Sequence, residues 1–558
     1  MLAIAGSMLV AWIAFLVAMA AIPTDPTRLT DVMTGADVSS QYAVERPFGR
    51  YLLEPLTALV YIGGAEPIGL IVLLPATYIS ARVVFLLVEK VALRTNGGPN
   101  RKVEIVLERA RNVVNFFWKY ALLGIAAGAS IIGIGYLQRG FQFINDTFMG
   151  TILVIVWILV CIVSVKVAFN LATLFGSKLK FRVKPRKRWK DLPRTSARYW
   201  GHKVFDVLGR EPRYMVSIAL LAVVLIYFFE SLPLPTHRIV ASSAPDEYLF
   251  DFHTHTFYSD GSLSPEARVD WYIAQGFRGA AFTDHDTIKG WSRAKAYVQR
   301  NNLPFTVIKG QEYTRHDDIG IHLNIYNLDF AIAPETQASI GYHDTLYMNV
   351  SDMIATAKAN GGYVSVNHYG GYPGWPYTFE QLRDWGVFGF EILYIDEYFQ
   401  PSTRDFCIAN NLACLAGSDE HMNGELKSFV QIQLDDPSNV TEIFTKLRLN
   451  AHKVIWIEPQ DEVFPTYNDL DASPRKYLNA FAAFGNYFAG LDGGQLASWI
   501  AWSCSAYILL AAIATWVKKT PLDTMEAKIV VDPRKRCLLL KLSPSYRKLM
   551  RDFKANKK

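Results

Sequence analysis

Six apolar runs, at 2–22, 67–88, 117–137, 150–172, 214–233 and 495–517, constrain this 558-residue chain more than any other feature in it. A hydrocarbon slab about 30 Å thick takes about 20 residues of apolar helix to cross, and each run is that long. Between the fifth and sixth runs the patterning becomes that of an ordinary globular domain. The expectation is a five-helix membrane region at 1–235, a water-soluble domain at 241–460, a connector at 461–494, a last span at 495–517 and a basic tail at 518–558. With 51% hydrophobic and 19% charged residues, a disordered, collagen-like or small disulfide-stapled chain is excluded.

Charge sets the orientation. Residues 178–213 hold 13 Lys/Arg against 3 acids, 518–558 hold 13 against 4, and 89–115 hold six Lys/Arg. Lys and Arg beside apolar spans stay in the cytoplasm, so these segments place both termini inside and 241–460 outside, as in a bacterial inner membrane. The domain itself carries 15 Lys/Arg against 28 Asp/Glu, a poor balance for gripping a long polyanion. Residues 52–64 are apolar but end at Gly63-Gly64, too short to cross alone. In the connector, Tyr477, Leu478, Phe481, Phe484, Phe488 and Leu491 recur at near-helical spacing. They suit either a helix lying in the outer leaflet or one packed on the soluble domain. Of the five cysteines, Cys407 and Cys414 fall in the exposed domain, where an oxidising compartment permits a bridge that spacing alone does not establish. No C-x-x-C occurs, which removes thiolate zinc and thioredoxin chemistry.

Within 241–460, short apolar runs alternate with amphipathic stretches. Tyr248–Phe252, Gly279–Thr283, Phe305–Lys309, Ile321–Tyr326, Tyr363–Val366, Phe388–Leu393 and Leu412–Ala416 read as buried strands. Ser264–Gln275, Trp291–Asn301, Val350–Asn360 and Thr378–Trp385 read as helices. This alternation predicts an α/β fold, with a parallel sheet or a closed barrel whose chemistry sits at strand C-termini.

Metal-ligand residues follow the strands. Asp251-Phe-His253-Thr-His255 and Ser259-Asp260-Gly261 come after the first, Thr283-Asp284-His285-Asp286 after the second and Gln311-Glu312 after the third. His322 lies in the fourth, Asn367-His368 ends the fifth and Ser418-Asp419-Glu420-His421 ends the last. Nine of the chain's 11 histidines are in this domain. His253 and His255, two apart on an extended chain, project to one side. Imidazole with carboxylate suits zinc, manganese or iron. A lone His-x-His is weak; six such signals in order point to a site for several metals. His322 sits better in a strand than His316 as a ligand. Asp251 and Asp284 suit outer positions that orient histidines, and Glu391 closes a strand near the site. Lys289, Lys309, Arg315 and Arg404 could grip phosphate, although solvated surface is the commoner fate. His202, His237, His343 and His452 carry no ligand pattern.

This series resembles the PHP (polymerase and histidinol phosphatase) family over about two fifths of the chain. The resemblance implies a distorted seven-stranded β/α barrel with two or three divalent metal ions. By motif, His253, His255, Glu312 and Asp419 would bind the first metal; Glu312 would bridge to a second held by His322 and His368. Asp260, His285 and His421 would hold a third. Glu312, Asp419 and His421 would be the catalytic set, with Asp419 or His421 shuttling a proton or serving only as ligands.

Some PHP relatives are exonucleases or nucleotide phosphatases, so the implied activity is phosphate mono- or diester hydrolysis through a metal-bridging hydroxide. Nucleotides, oligonucleotides and lipid headgroups in the bilayer are the implied substrates, and the 46 residues from His322 to His368 leave little room for a large substrate domain. A carboxyl-ester or amide hydrolase on the same metals is an alternative, and so is a sensor or binding module without turnover.

Overall fold

A computed structural model describes residues 2–24, 27–65, 78–79, 101–139, 141–175, 197–241, 246–315, 320–339, 342–369, 376–394, 398–458, 463–465, 479–519, 527–532 and 537–542. Nearly all of the 67–88 run, the strongly basic stretch 176–196, His316 and most of the tail lie outside the described residues. The N-terminal part contains helices α1 (Leu2–Ala20), α2 (Phe48–Ala65), α3 (Arg101–Arg139), α4 (Phe141–Phe175) and α5 (Ala197–Glu230). Between α1 and α2 lie three short strands, β1 (Arg28–Asp31), β2 (Ala36–Asp37) and β3 (Tyr42–Glu45).

The domain begins with β4 (Arg238–Ala241), which pairs antiparallel with β3. The seven expected strands follow as β5 (Glu247–Thr254), β6 (Gly279–Phe282), β7 (Thr306–Thr314), β8 (His322–Tyr326), β11 (Tyr363–Val366), β12 (Gly389–Tyr394) and β14 (Ala413–Ala416). A hairpin of β9 (Glu335–Ser339) and β10 (Tyr342–Leu346), and the two-residue β13 (Tyr398–Phe399), interrupt the series. Strands β15 (Ser428–Gln433) and β16 (His452–Glu458) complete it. Helices α6 (Pro265–Gln275), α7 (Lys289–Asn301), α8 (Val350–Ala359), α9 (Phe379–Trp385), α10 (Pro401–Ala409) and α11 (Val440–Arg448) connect the strands. Local chemistry sets their limits. Ser264 accepts the Ala267 N–H at 3.2 Å and Pro265 pre-sets the first turn of α6, while Gly276, at φ 94°, ends it. Thr378 and Gln381 form a capping box on α9.

The sheet is mixed rather than parallel throughout. Its order is β13-β12-β11-β8-β7-β6-β5-β15-β16-β1-β2, with β14 beside β12. β5, β6 and β7 are parallel, as are β11, β12 and β14, but β8 is antiparallel to both β7 and β11. The cause is the connection 315–321, which is too short for the dozen or more residues a parallel crossover needs. An isolated bridge between Thr254 and Glu420 brings the end of β5 to the segment after β14.

Sequence patterning did not anticipate that the sheet recruits the segment between α1 and α2. β1 pairs antiparallel with β16, with Leu29 opposite Ile457 and Thr30 opposite Trp456. Arg404 then donates to the Val32 carbonyl at 3.0 Å, and Tyr42 donates to Gln431. Leu29, Val38 and Tyr42 join a core with Ile239, Phe429 and Ile455.

Helices α12 (Asn479–Ala489) and α13 (Gly493–Lys519) follow the domain. Among the described residues, four helices are long and apolar enough to cross a membrane: α3 over Phe116–Gln138, α4 over Met149–Ala172, α5 over Glu211–Glu230 and α13 over Gly493–Ala512. The apolar part of α1, Ala5–Ala20, is shorter. α3, α4 and α5 share a core of Phe117, Ala121, Val156, Leu159 and Val224. Tyr487, Phe488 and Leu491 pack instead with Leu16 of α1 and Ala58 of α2. The connector helix α12 therefore rests on the other helices, which neither sequence expectation had named.

Candidate metal centre

The residues that follow the strands converge on one end of the sheet. His253 and His255, at the end of β5, are fully buried, and Glu312 on β7 lies between them and the next cluster. His253 Nε2 and His255 Nε2 lie 3.1 Å from one another and 3.0–3.4 Å from Glu312 Oε2 and Asp419 Oδ1. Ligands at about 2.0–2.1 Å from a tetrahedral cation lie about 3.3 Å apart, so this quartet has the dimensions of a coordination shell. The other oxygen, Glu312 Oε1, lies 3.1 Å from His322 Nδ1 and 3.6 Å from His368 Nε2. One carboxylate thus contributes to two adjoining clusters. A third gathers Asp260, His285 and His421, with His255 beside them. Asp260 Oδ2 is 3.4 Å from His285 Nε2, and its Oδ1 is 3.2 Å from His421 Nε2. All nine residues singled out from the sequence fall in these three groups.

Outer contacts set which nitrogen each ring presents. His253 Nδ1 meets Glu391 Oε1 at 2.8 Å, leaving Nε2 for the quartet, and Glu391 Oε2 accepts the His368 backbone N–H at 3.1 Å. Gly417 allows this close approach, because a Cβ there would come within 2.3 Å of the His253 Cβ and 2.5 Å of Glu391 Oε1. His421 Nδ1 lies 2.6 Å from the Asp419 carbonyl, which directs its Nε2 to Asp260. His255 Nδ1 meets Ser259 Oγ at 3.3 Å, and Asn367 Nδ2 donates to Glu312 Oε1 at 2.8 Å.

Asp251 and Asp284 act through backbone and hydroxyl groups rather than on the imidazoles. Asp251 accepts from the backbone of His253 and Ser418, and Asp284 from Thr256 and Ser259. Arg268 had no signal assigned to it, yet it joins the two loops: its guanidinium donates to the carbonyls of His255, Met422 and Glu420 at 2.7–3.2 Å. Its place on the buried stripe Pro265–Arg268–Tyr272–Gln275 was the available clue. Lys309 pairs with Asp329, Arg404 with Asp405, and Arg315 donates to the Met348 carbonyl. His452 meets the Cys414 carbonyl at 2.7 Å, and His237 lies 3.6 Å from Glu425. Lys289 begins α7. The side chains of His202 and His343 lie outside the described residues. Cys407 and Cys414 are buried free thiols.

Electrostatics and backbone geometry fit cations. Burial, then His421 and His285, press His255 down to about 3, so it stays neutral with a lone pair to offer. Burial opposes charge on Glu312 and Asp419, but the surrounding imidazoles, His253 foremost, hold both carboxylates below their usual range. Burial also opposes protonation of His421, yet Asp260 raises it to about 9. Glu312 Oε2 and Asp419 Oδ1 are shut from solvent and accept no aligned hydrogen bond, which leaves lone pairs for a metal. His368 at φ 31° and Asp419 at φ 51° are held in the left-handed region, a strain common where side chains must be aimed. Side-chain exposure rises from 0% at His253 to 29% at His421 and 47% at Asp260, so the third cluster forms the open side. The cleft of about 730 Å³ lined by Lys358, Arg383 and Arg448 includes none of these residues.

Residues 251–368 match the model of the PHP domain, so a PHP domain is present in the chain. Over 82 residues the chain is 35% identical to the 5'-3' exoribonuclease Rnm of Escherichia coli (strain K12), covering 14% of this chain and 28% of that protein. It is 37% identical over 81 residues to a 5'-3' exoribonuclease of Haemophilus influenzae, covering 14% and 29%. The chain thus spans less than a third of these curated relatives. A solved two-domain protein from Bacteroides vulgatus, described as containing a predicted PHP-like metal-dependent phosphoesterase, aligns over 38% of this chain and 67% of its own, with 21% identity and a TM-score of 0.31.

Proposed function

We propose that this chain is a membrane-anchored, metal-dependent hydrolase of phosphate mono- or diesters, acting on nucleotide, oligonucleotide or lipid-headgroup compounds outside the cytoplasm. The observation that carries the reading is Glu312, whose two oxygens belong to two adjoining clusters. In this reading His253, His255, Glu312 and Asp419 hold one cation, Glu312, His322 and His368 a second, and Asp260, His285 and His421 a third. The strands β5–β8, β11, β12 and β14 form the distorted barrel around them, with the Thr254–Glu420 bridge as its seam. Divalent ions there acidify water and neutralise phosphoryl oxygens. The chain's own part is orientation and proton handling. Glu391 fixes the His253 ring, Asn367 holds Glu312, and His421, at the open side, presents Nε2 as a ligand to the third cation or, with that site empty, as the place where a proton is taken up or released.

The helices supply the anchor. The β1–β16 pairing supports placing 28–45 on the same side as the domain, so the chain crosses an even number of times between β3 and β4. α3, α4 and α5 account for three crossings, and the apolar run 67–88 is the proposed fourth. With α1 and α13 crossing as well, both termini are cytoplasmic.

The test uses the purified full-length protein with chromogenic phosphomonoester, phosphodiester and carboxyl-ester substrates. Phosphate-ester hydrolysis that stops with chelator, returns with manganese or zinc and is absent in His253→Ala is the expected result. Release from the carboxyl ester alone contradicts the reading.

A further inference from the structure

The open side of the metal centre is fastened to the ends of two membrane-length helices. Asp260 and His421, the most exposed of the nine residues, lie on loops held there by specific contacts. On one side of Asp260, Phe257 packs on Gly150 in the first turn of the apolar stretch Met149–Ala172, where a Cβ on Gly150 would sit 3.6 Å from the ring. On the other side, Ser262 Oγ donates to the Glu230 carbonyl, the last residue of α5, at 2.7 Å. Beyond His421, Asn423 Nδ2 donates to the carbonyls of Phe229 and Leu232 at 2.5 and 2.8 Å. Both loops are therefore within three residues of a contact with the end of a membrane-length apolar stretch. Met422, next to His421, leaves 38% of its surface exposed.

A carbonyl at the end of a membrane helix lacks an intrahelical donor, and here the metal loops supply it. The fastening is thus part of the fold of both elements. With α4 and α5 crossing as proposed above, it sets the third cluster at the level of the bilayer interface rather than at the far pole of the domain. A substrate dissolved in water gains nothing from that placement. One anchored in the outer leaflet is concentrated beside the site without any further contact.

Resting on the phosphoesterase reading, we propose that the substrate is a phosphoester carried by a membrane-anchored amphiphile, presented from the outer leaflet to the Asp260–His285–His421 side. Its headgroup phosphorus meets the metal cluster while its apolar tail stays in the bilayer beside α4 and α5. Hydrolysis adds water across one P–O bond: hydroxyl goes to phosphorus, and the proton goes to the leaving oxygen.

The experiment reconstitutes the full chain in phosphatidylcholine vesicles. Phosphatidic acid and phosphatidylglycerol in the vesicles are compared with glycerol phosphate and glycerophosphoglycerol in solution, a soluble chromogenic phosphoester and single-stranded RNA. Preference for the lipid-borne bond on the order of 100-fold in kcat/KM is expected from confinement to the bilayer. A separate readout uses a spin label at Met422→Cys, with Cys161→Ala, Cys504→Ala and Cys537→Ala. Its relaxation by oxygen and by a water-soluble nickel chelate is expected to report an interfacial depth, whether or not the enzyme turns over. Water-like accessibility overturns the proposal. Hydrolysis of the free esters or RNA with lipid untouched overturns it alone; hydrolysis of nothing overturns the phosphoesterase reading and this inference with it.

Discussion

Glu391 illustrates how much of this candidate centre depends on residues outside the three clusters. Its 2.8 Å contact with His253 Nδ1 fixes the ring, and its other oxygen tethers the His368 backbone. Glu391→Gln is expected to weaken metal binding by about 10–100-fold, measured by competition with a chromogenic chelator, because the outer carboxylate also raises imidazole basicity. Arg268 serves the loops instead: Arg268→Ala removes a buried guanidinium that donates to three carbonyls, two of them in the loop after β14, and is expected to lower stability by about 3 kcal/mol, read as a fall in denaturation midpoint. The nine grouped residues were legible in the sequence because each belongs to a chemically distinctive pair or triplet near a strand end. Arg268, Ser418 and Thr256 were not, since their roles arise from loops brought together only by the folded sheet. His452 gives a residue-scale pH prediction. Burial lowers its proton affinity below the usual 6.5, so the unfolded chain binds the extra proton. Its contribution is full above pH 6.5 and declines as the pH falls below that value. The stability difference between the wild type and His452→Gln is expected to shrink from pH 7 to pH 5 in parallel thermal melts.

Among the elements, the seven expected strands and four expected helices were visible as apolar runs bounded by capping residues such as Ser264 and Thr378. The antiparallel placement of β8 was hidden, because periodicity gives a strand's length and faces but not its direction. β1 was hidden for a different reason. Four residues, Arg-Leu-Thr-Asp, carry too little pattern to announce a partner more than 400 positions away. Yet Leu29 is 2% exposed inside the core beneath the sheet. Leu29→Ala is expected to lower domain stability by about 2–4 kcal/mol, on the scale of a buried leucine truncation, measured by thermal unfolding of the full-length chain. A negligible shift would mean that β1 is not integral to the domain. For the same reason a fragment cut at 241–460 lacks a strand of its own sheet, and assays belong on the whole chain.

At the scale of the molecule, the three clusters, the domain and the apolar helices form one mechanical unit: the clusters close the end of the sheet that is fastened to α4 and α5. Metal bound at these clusters is expected to contribute directly to stability, since the clustered carboxylates and imidazoles exist as a site only in the folded state. Metal at 1,000 times its dissociation constant stabilises by about 4 kcal/mol, so chelation is expected to lower the unfolding temperature by several degrees. In the proposed function Glu312 joins two cation sites that together support phosphoester hydrolysis. Counting bound metal per chain and measuring phosphoester turnover in the same preparation, for the wild type and Glu312→Ala, tests that link. The prediction is more than one divalent ion per wild-type chain, turnover that rises with occupancy, and loss of both metal and turnover in Glu312→Ala. Full turnover by metal-free protein, or by Glu312→Ala, would contradict it.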